Sequence, residues 1–571
     1  MSRLLQEFPE VSTETWEEAI RNDLKRAGPA KKLVWESPEG LRIKPYYRSE
    51  DLSGLEYLDT APGDFPYLRG VRRTGDWRIR EEIEEAEPRS ANQAAVEAVK
   101  AGAEEIEFRT VSPKNASELE ILHSNLENVP VHFHGATEDL VRLLMKIGQT
   151  HCWSTDLNPL LHIELARELA VLEPGNVLTL DAGQIEEAGA TTIQEVGFTL
   201  AEGIDFLASL QALGIAADRA AGLIAFSFAI GANYFLQIAK LRAFRLLWTR
   251  AVESFGGTGA SAKAKIHARS SRWNKTIYDP HVNIVRGTTE AMSAILGGAD
   301  SLTVASFDSC YKRSDAASRR LARNTQIILK HEAQLARVAD PGGGSYYLEA
   351  LTDSIARESW KLIQEIEGVG GFQKAGDRIT RALQESLAAR EKAVTQRRRV
   401  FVGTNKYPNP DERALDRVGG QTDGTRRGAE IFEQIRLRTE QHAQRAGKLP
   451  RILLAEMGDL KMRLARSNFA YNFFGCAGFE IVQRKFENTD LLAQSDADLI
   501  VLCSSDPEYP ALVASLVASL KERNREIPII IAGNPDSAEQ LKTLGVADFV
   551  HVRSNPVETL EKWQAKLGSR N

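Results

Sequence analysis

The residues Asp459-Leu460-Lys461-Met462-Arg463-Leu464 follow the apolar run RILLAEM (451–457), so they stand where a strand gives way to a loop and then a helix. A metal-binding version of that loop would want a histidine at Lys461 and a glycine at Leu464. A loop lysine at pH 7 is an ammonium with three donors and no lone pair, so it ligates a metal only after strong desolvation. His132 and His134 flank Phe133 on an expected strand, and the period of two puts both on one face. No third ligand stands near them in sequence, so hydrogen-bonded barrel residues are expected and not a metal site. Arg269 and Arg272 suit a carboxylate or a phosphate, or else internal acids. Gly342-Gly343-Gly344 has only a superficial likeness to a phosphate loop, and tight turns are expected there. The run Arg397-Arg398-Arg399 is expected on a solvated face. Cys152, Cys310, Cys476 and Cys503 form no CxxC pair, which argues against a zinc or disulfide framework and for a reducing cytoplasm.

These residues fall on a regular series of elements. EEIEFRT (104–110), VPVHFHG (129–135) and NVLTLDAG (176–183) read as strands. Stretches 91–102, 136–148, 190–210, 238–256 and 288–299 read as helices. Strand-then-helix repetition over about 300 residues favours a parallel (β/α)8 barrel across 46–390. An amphipathic helical arm precedes it over 1–45, with Phe8, Trp16, Ile20 and Leu24 as its apolar positions. A wrapping linker follows over 391–448. Residues 449–571 read as five strands, at 451–457, 479–484, 497–505, 527–533 and 547–552, with helices between them. That pattern suits a flavodoxin-like doubly wound sheet whose ligands sit at the carboxyl ends of the strands.

Composition narrows the function classes. A net charge of −6 argues against nucleic acid or an anionic membrane as the main partner. The longest apolar run, GLIAFSFAIGANYFL (222–236), is too short to span a bilayer. The stretch MSRLLQEFPEVSTETW lacks the apolar core of a signal peptide.

Three long stretches resemble the methylmalonyl-CoA mutase family. They are FAIGANYFLQIAKLRAFRLLW (228–248), IHARSSRWNKTIYDPHVNIVRGTTEAMSAILGGADSLTVASFD (266–308), and LARNTQIIL (321–329) with ARVADPGGGSYYLEALTDSIARESWKLIQEIEGVGG (336–371). PGDFPYLRG (62–70), EEAGATTIQEVGFTLAEG (186–203) and VGTNKYP (402–408) are weaker echoes. The resemblance implies a barrel that receives an acyl-CoA and a C-terminal domain of the cobalamin-binding type. Members that bind cobalamin carry a DxHxxG loop, in which the histidine ligates cobalt and the aspartate holds its other ring nitrogen. Here the aspartate position is Asp459, the histidine position Lys461 and the glycine position Leu464. Later turns are also altered, to SSDPEYP (504–510), Ala532-Gly533-Asn534 and HVRSN (551–555). A pocket filled by Leu460, Met462 and Leu464 is expected.

The resemblance implies matching losses in the barrel. Gly183 and Gln184 stand where catalytic subunits have a Tyr-His pair. RGVRRTGDW lacks the tyrosine that follows RGV. Arg269 and Arg272 replace a glutamine and a glycine in an HCQTSGW-like motif, and LTVASFDS (302–309) loses an asparagine and a glutamate. Asp459, Lys461 and Leu464 therefore read as vestigial cobalamin-loop positions, and Gly183, Gln184 and Arg269 as vestigial substrate positions. No catalytic residue and no bound cofactor are expected in this chain. The expected function is the non-catalytic small subunit of a heterodimeric mutase, with adenosylcobalamin in the large subunit, which interconverts (R)-methylmalonyl-CoA and succinyl-CoA. The alternatives are a divergent active acyl-CoA mutase or a stand-alone CoA-binding or regulatory module.

Overall fold

The computed structural model describes residues 11–25, 32–147, 152–172, 177–418 and 426–568. Phe8 of the expected arm lies outside them. The arm helix Thr13–Asp23 starts where Ser12 accepts a hydrogen bond from the Thr15 amide, and it buries none of its residues. Trp16 stacks on Tyr46 with ring centroids 5.1 Å apart. A short antiparallel hairpin pairs Trp35–Glu36 with Arg42–Ile43.

Eight parallel strands then close a barrel. They are β1 Arg78–Ile83, β2 Glu105–Phe108, β3 Val131–Phe133, β4 Trp153–Thr155, β5 Val177–Asp181, β6 Ile224–Ile230, β7 Ile266–Ser270 and β8 Ser301–Thr303, with β8 pairing back onto β1. The expected strands at 104–110, 129–135 and 176–183 appear as β2, β3 and β5. The end of the last one instead turns into the helix Ala182–Glu187, because Asp181 caps it by accepting from the Gly183 amide. The remaining five strands were not legible as strands. β4 and β8 are three residues long, and β1 reads RIREEI, with four charges in six residues.

The outward side chains of the strands pack under helices. Phe226 of β6 meets Phe244 and Trp248 edge-on, with centroids at 4.6 and 4.8 Å. The DPGGGSYYLE stretch has a specific structural role here. Asp340 and Glu349 share Arg69 and Arg242 in a buried four-charge cluster, with Arg69–Asp340 at 2.8 Å and Arg242–Glu349 at 2.7 Å. A Cβ on Gly343 would collide with the Arg69 guanidinium, so the glycine is required for the charges to meet.

The second sheet contains β9 Arg451–Glu456, β10 Glu480–Lys485, β11 Leu499–Cys503, β12 Ile529–Ala532 and β13 Asp548–Val550. All pairings are parallel, in the order β10-β9-β11-β12-β13, which is the flavodoxin-like winding. The expected linker carries the end of the helix Gly376–Thr395 and the helix Glu430–Ala446. Phe432 and Ile435 of the latter share one apolar core with Trp273, Val394 and Phe401 and with Phe473 and Phe474 of the second unit, so the two units are packed together. No helix among the described residues is long and apolar enough to cross a membrane.

Candidate functional site: two strand-end pockets filled by charged side chains

A (β/α)8 barrel interior is usually filled by branched apolar residues. Here the inward positions of successive strands carry charge instead. Arg80 of β1 lies opposite Glu105 of β2 and donates to it at 3.0 Å through Nε, and it approaches Glu107 at 3.5 Å. Glu107 lies opposite His132, and His132 opposite Ser154, whose Oγ is 2.9 Å from Nδ1. His134 and His132 do share a face, as their spacing predicts. His134 Nδ1 donates to Asp156 at 2.8 Å, and Arg109 lies 3.3 Å from its Nε2. Burial and then Arg80 push the His132 imidazole down to about 4, so it is neutral. Burial also works against charge on His134, but Asp156 outweighs it and raises this imidazole. Arg109, His132 and Arg80 overcome burial to hold Glu107 well below the usual carboxylate range. Among the described residues, no group of three or more His, Cys, Asp or Glu side chains could hold a metal ion.

At the carboxyl ends of the strands, Arg269 pairs with Glu187 at 2.9 Å and Asp181 at 3.6 Å, while Arg272 lies 3.7 Å from Glu82. These arginines thus meet internal acids. The guanidinium of Arg269 lies flat against Gly183, and a Cβ there would clash with three of its atoms. Gln184, the next residue, is exposed. Glu186 pairs with Arg390 at 2.8 Å and accepts from Ser271 Oγ at 3.3 Å. Arg399 belongs to this region and not to a solvated face. It donates to Asn274 at 3.2 Å, and burial lowers its guanidinium to about 10.

The carboxyl ends of the second sheet are filled in the same manner. Asp459 caps the helix Leu460–Gly475 by accepting from the Met462 amide at 2.8 Å, so the loop after β9 is only Met457-Gly458-Asp459. Lys461 is exposed on the first turn. The expected filling by Leu460 and Leu464 does not occur. They sit four residues apart on the outer helix face, 59% and 43% exposed. Met462 is half-buried. Three other side chains take the space. Arg466 donates to the Ala532 carbonyl at 2.6 Å and to Asp506 at 2.7 Å, and it lies in the slot left by the missing Cβ of Gly533. Tyr509 is fully buried; its hydroxyl accepts from the Ser504 amide at 3.1 Å and donates to the Ala532 carbonyl at 2.8 Å. The Glu508 carboxylate covers Gly458 and accepts from Ser504, Ser505 and the Asp459 amide, bonds that lower it to about 2.

Comparison with known proteins gives this frame its family. The methylmalonyl-CoA mutase family model matches residues 36–116 and 173–456. The methylmalonyl-CoA mutase small subunit of Porphyromonas gingivalis is 36% identical, with 100% of this chain and 99% of that protein covered. The chain belongs to the methylmalonyl-CoA mutase family. A second relative, the methylmalonyl-CoA mutase small subunit of Streptomyces virginiae, is 31% identical over 99% of this chain and 98% of its own length. The methylmalonyl-CoA mutase of Rhizobium meliloti is 32% identical, but covers 71% of this chain and 65% of its own length. On the mutase frame, Gly183 and Arg269 are brought into contact at one strand-end site, and Asp459 and Lys461 lie at the other. Glu82, Glu107, Arg109, Asp181 and Glu187, and in the second unit Arg466 and Glu508, were not singled out from sequence. A signal for the barrel set was present: Glu105, Glu107 and Arg109 alternate in EEIEFR with the same period that joins His132 to His134.

Proposed function

We propose that this chain is the non-catalytic small subunit of a methylmalonyl-CoA mutase. In this reading it pairs with a large subunit that binds adenosylcobalamin and interconverts (R)-methylmalonyl-CoA and succinyl-CoA. The observation that carries the reading is the placement of Arg269 against Gly183. A guanidinium held by Asp181 and Glu187 stands at the strand end where a substrate wall would be needed. The second unit supports it. A corrin does not fit strand ends on which Glu508 covers Gly458 and Arg466 lies on Gly533, with an exposed ammonium at the ligand position. The chain therefore contributes binding surface and rigidity to the assembly, not chemistry. The arm supports a partner-facing role, since none of its helix residues is buried and Trp16 stays 45% and the nearby Trp35 47% exposed.

The test is to mix the purified chain with adenosylcobalamin, desalt, and read corrin absorbance on the protein fraction. The same chain is then co-expressed with a large subunit of the family. The expected result is no corrin on the isolated chain, and one corrin per heterodimer with mutase turnover in the complex. Stoichiometric corrin on the isolated chain, or turnover without a partner, would restore the divergent active enzyme as the better reading.

A further inference from the structure

Exposed aromatic side chains are concentrated on one face of this chain. Among the described residues, seven Trp, Tyr and Phe side chains are exposed. Six of them, Trp16, Trp35, Phe65, Phe235, Tyr346 and Trp360, belong to the arm, to the segment 35–66, or to the helices Tyr234–Ser254 and Tyr346–Glu367; the seventh is Tyr407. Ring contacts join these parts. Trp16 stacks on Tyr46, Tyr47 meets Tyr347 with centroids 5.0 Å apart, and Tyr347 meets Phe235 at 5.3 Å. The two helices run side by side in the same direction, since Phe235 meets Tyr347 near their starts and Leu247 and Ala356 line one groove further along.

Between Phe65 and Trp360 this face opens into a groove of about 620 Å³. Its floor is apolar, formed by the buried Tyr57, Leu247 and Ala356. The arginines of its rim are matched within this chain. Arg357 pairs with Asp353 at 2.6 Å, and Arg250 pairs with Glu253 at 3.1 Å and lies over the Phe65 ring at 5.5 Å. Glu56, a further acid of the lining, is exposed. The groove therefore offers no excess of positive charge to a polyanion or an anionic membrane. An apolar floor inside a rim of paired charges, rich in Trp, Tyr, Phe and Arg, is the make-up of a protein interface. From Phe235 to Arg250 the strip is about 22 Å long, the scale of one side of a standard interface of about 800 Å² per partner.

Given the small-subunit reading above, on which this rests, we propose that this face is the docking surface for the large subunit. An apolar or aromatic side chain of that subunit fills the groove between Phe65 and Trp360. The stack of Trp16 on Tyr46 makes the face continuous with the arm, so arm and groove engage one partner together. Phe65, Phe235, Tyr346 and Trp360 are 40–46% exposed, so each has apolar surface left to bury on docking. Aromatic anchors of this kind carry most of an interface's affinity, while the paired charges around them exclude water.

The experiment is hydroxyl-radical footprinting, read by mass spectrometry, on the full chain alone and in complex with its large subunit. In the complex, oxidation of Phe65, Phe235, Tyr346 and Trp360 should fall at least about fivefold, and that of Tyr407 should change less than about twofold. F235A and W360A should each weaken the complex at least about tenfold, and Y407A less than about twofold. Footprinting of the unaltered chain decides the matter even if a variant folds poorly. A complex in which those four side chains stay as reactive as in the free chain would overturn the proposal and leave the subunit reading standing. Failure to form any complex would remove that reading and the proposed partner with it. Protection in the isolated chain that grows with its own concentration would give the face to a second copy and overturn the proposal.

Discussion

At the scale of single residues, the defining contact is Arg269 against Gly183. Adding one methyl there forces the guanidinium away from Asp181 and Glu187, so G183A should lower stability by about 1–3 kcal/mol. In an R269A background the same change should cost less than about 0.5 kcal/mol, because the obstacle is gone. Urea denaturation of the four proteins in this cycle measures the difference, and equal costs in both backgrounds would disprove the contact. His132 gives a second residue-scale expectation. Its imidazole titrates near 4 when folded and near 6.5 when unfolded, so between those values the unfolded chain binds the extra proton. Stability therefore falls as pH drops from 6.5 to 4, by up to about 3 kcal/mol from this group. Its neighbour His134 is raised by Asp156 and contributes in the opposite sense, adding stability at low pH that is lost as pH rises through its folded value. H132Q keeps a partner for Ser154 without the titration. Its denaturation midpoint should depend less steeply on pH between 6.5 and 4 than that of the parent. An unchanged slope would show that His132 is not held neutral.

At the scale of elements, both strand-end pockets are closed by the same means. A glycine leaves a slot, and a charged side chain of this chain lies in it: Arg269 at Gly183, Arg466 at Gly533 and Glu508 at Gly458. Each of these charges is paired or accepts several hydrogen bonds. Tyr509 shows how the filling is tied to the sheet, since its hydroxyl bridges the Ser504 amide after β11 to the Ala532 carbonyl at the end of β12. Y509F leaves the Ser504 amide without that acceptor, while Ala532 keeps Arg466. The expected cost is about 1–2 kcal/mol in a denaturant titration. A variant as stable as the parent would mean that the hydroxyl does not join the two strand ends.

At the scale of the whole molecule, the arm and the body differ in burial. The helix Thr13–Asp23 buries none of its residues, whereas the barrel and the second sheet share a core through Trp273, Phe401 and Phe432. Removal of residues 1–32 should therefore shift the chain's own unfolding free energy by less than about 0.5 kcal/mol. The same truncation should weaken co-purification with the large subunit at least about tenfold, if the exposed Trp16 is an interface anchor. A truncated chain that unfolds more easily but binds equally well would assign the arm to this chain's own fold. The reach of sequence reasoning differed along the molecule. All five strands of the second sheet were legible, and three of them, β9, β11 and β12, because their apolar runs are buried on both faces. β1 was not, because Glu81, paired with Arg319 and Arg323, stands between Ile79 and Ile83 and breaks the alternation that marks a strand.

The sequence by itself determined the family, the barrel and the doubly wound sheet, and the residue types at Lys461, Gly183 and Gln184. Those are properties of residue type and order, which a motif preserves without reference to space. Only the tertiary structure decided which side chains occupy the strand ends. Leu460 and Leu464 were the natural candidates by hydrophobicity, yet Asp459 caps a helix that turns both outward. Arg466, Glu508 and Tyr509 fill the space because β12 and the turn after β11 bring Ala532, Gly533 and Ser504 within their reach. Arg269 is likewise 86 positions from Gly183 in the chain and in contact with it in the barrel. Such pairings are set by strand order and register, and no local pattern in the sequence records them.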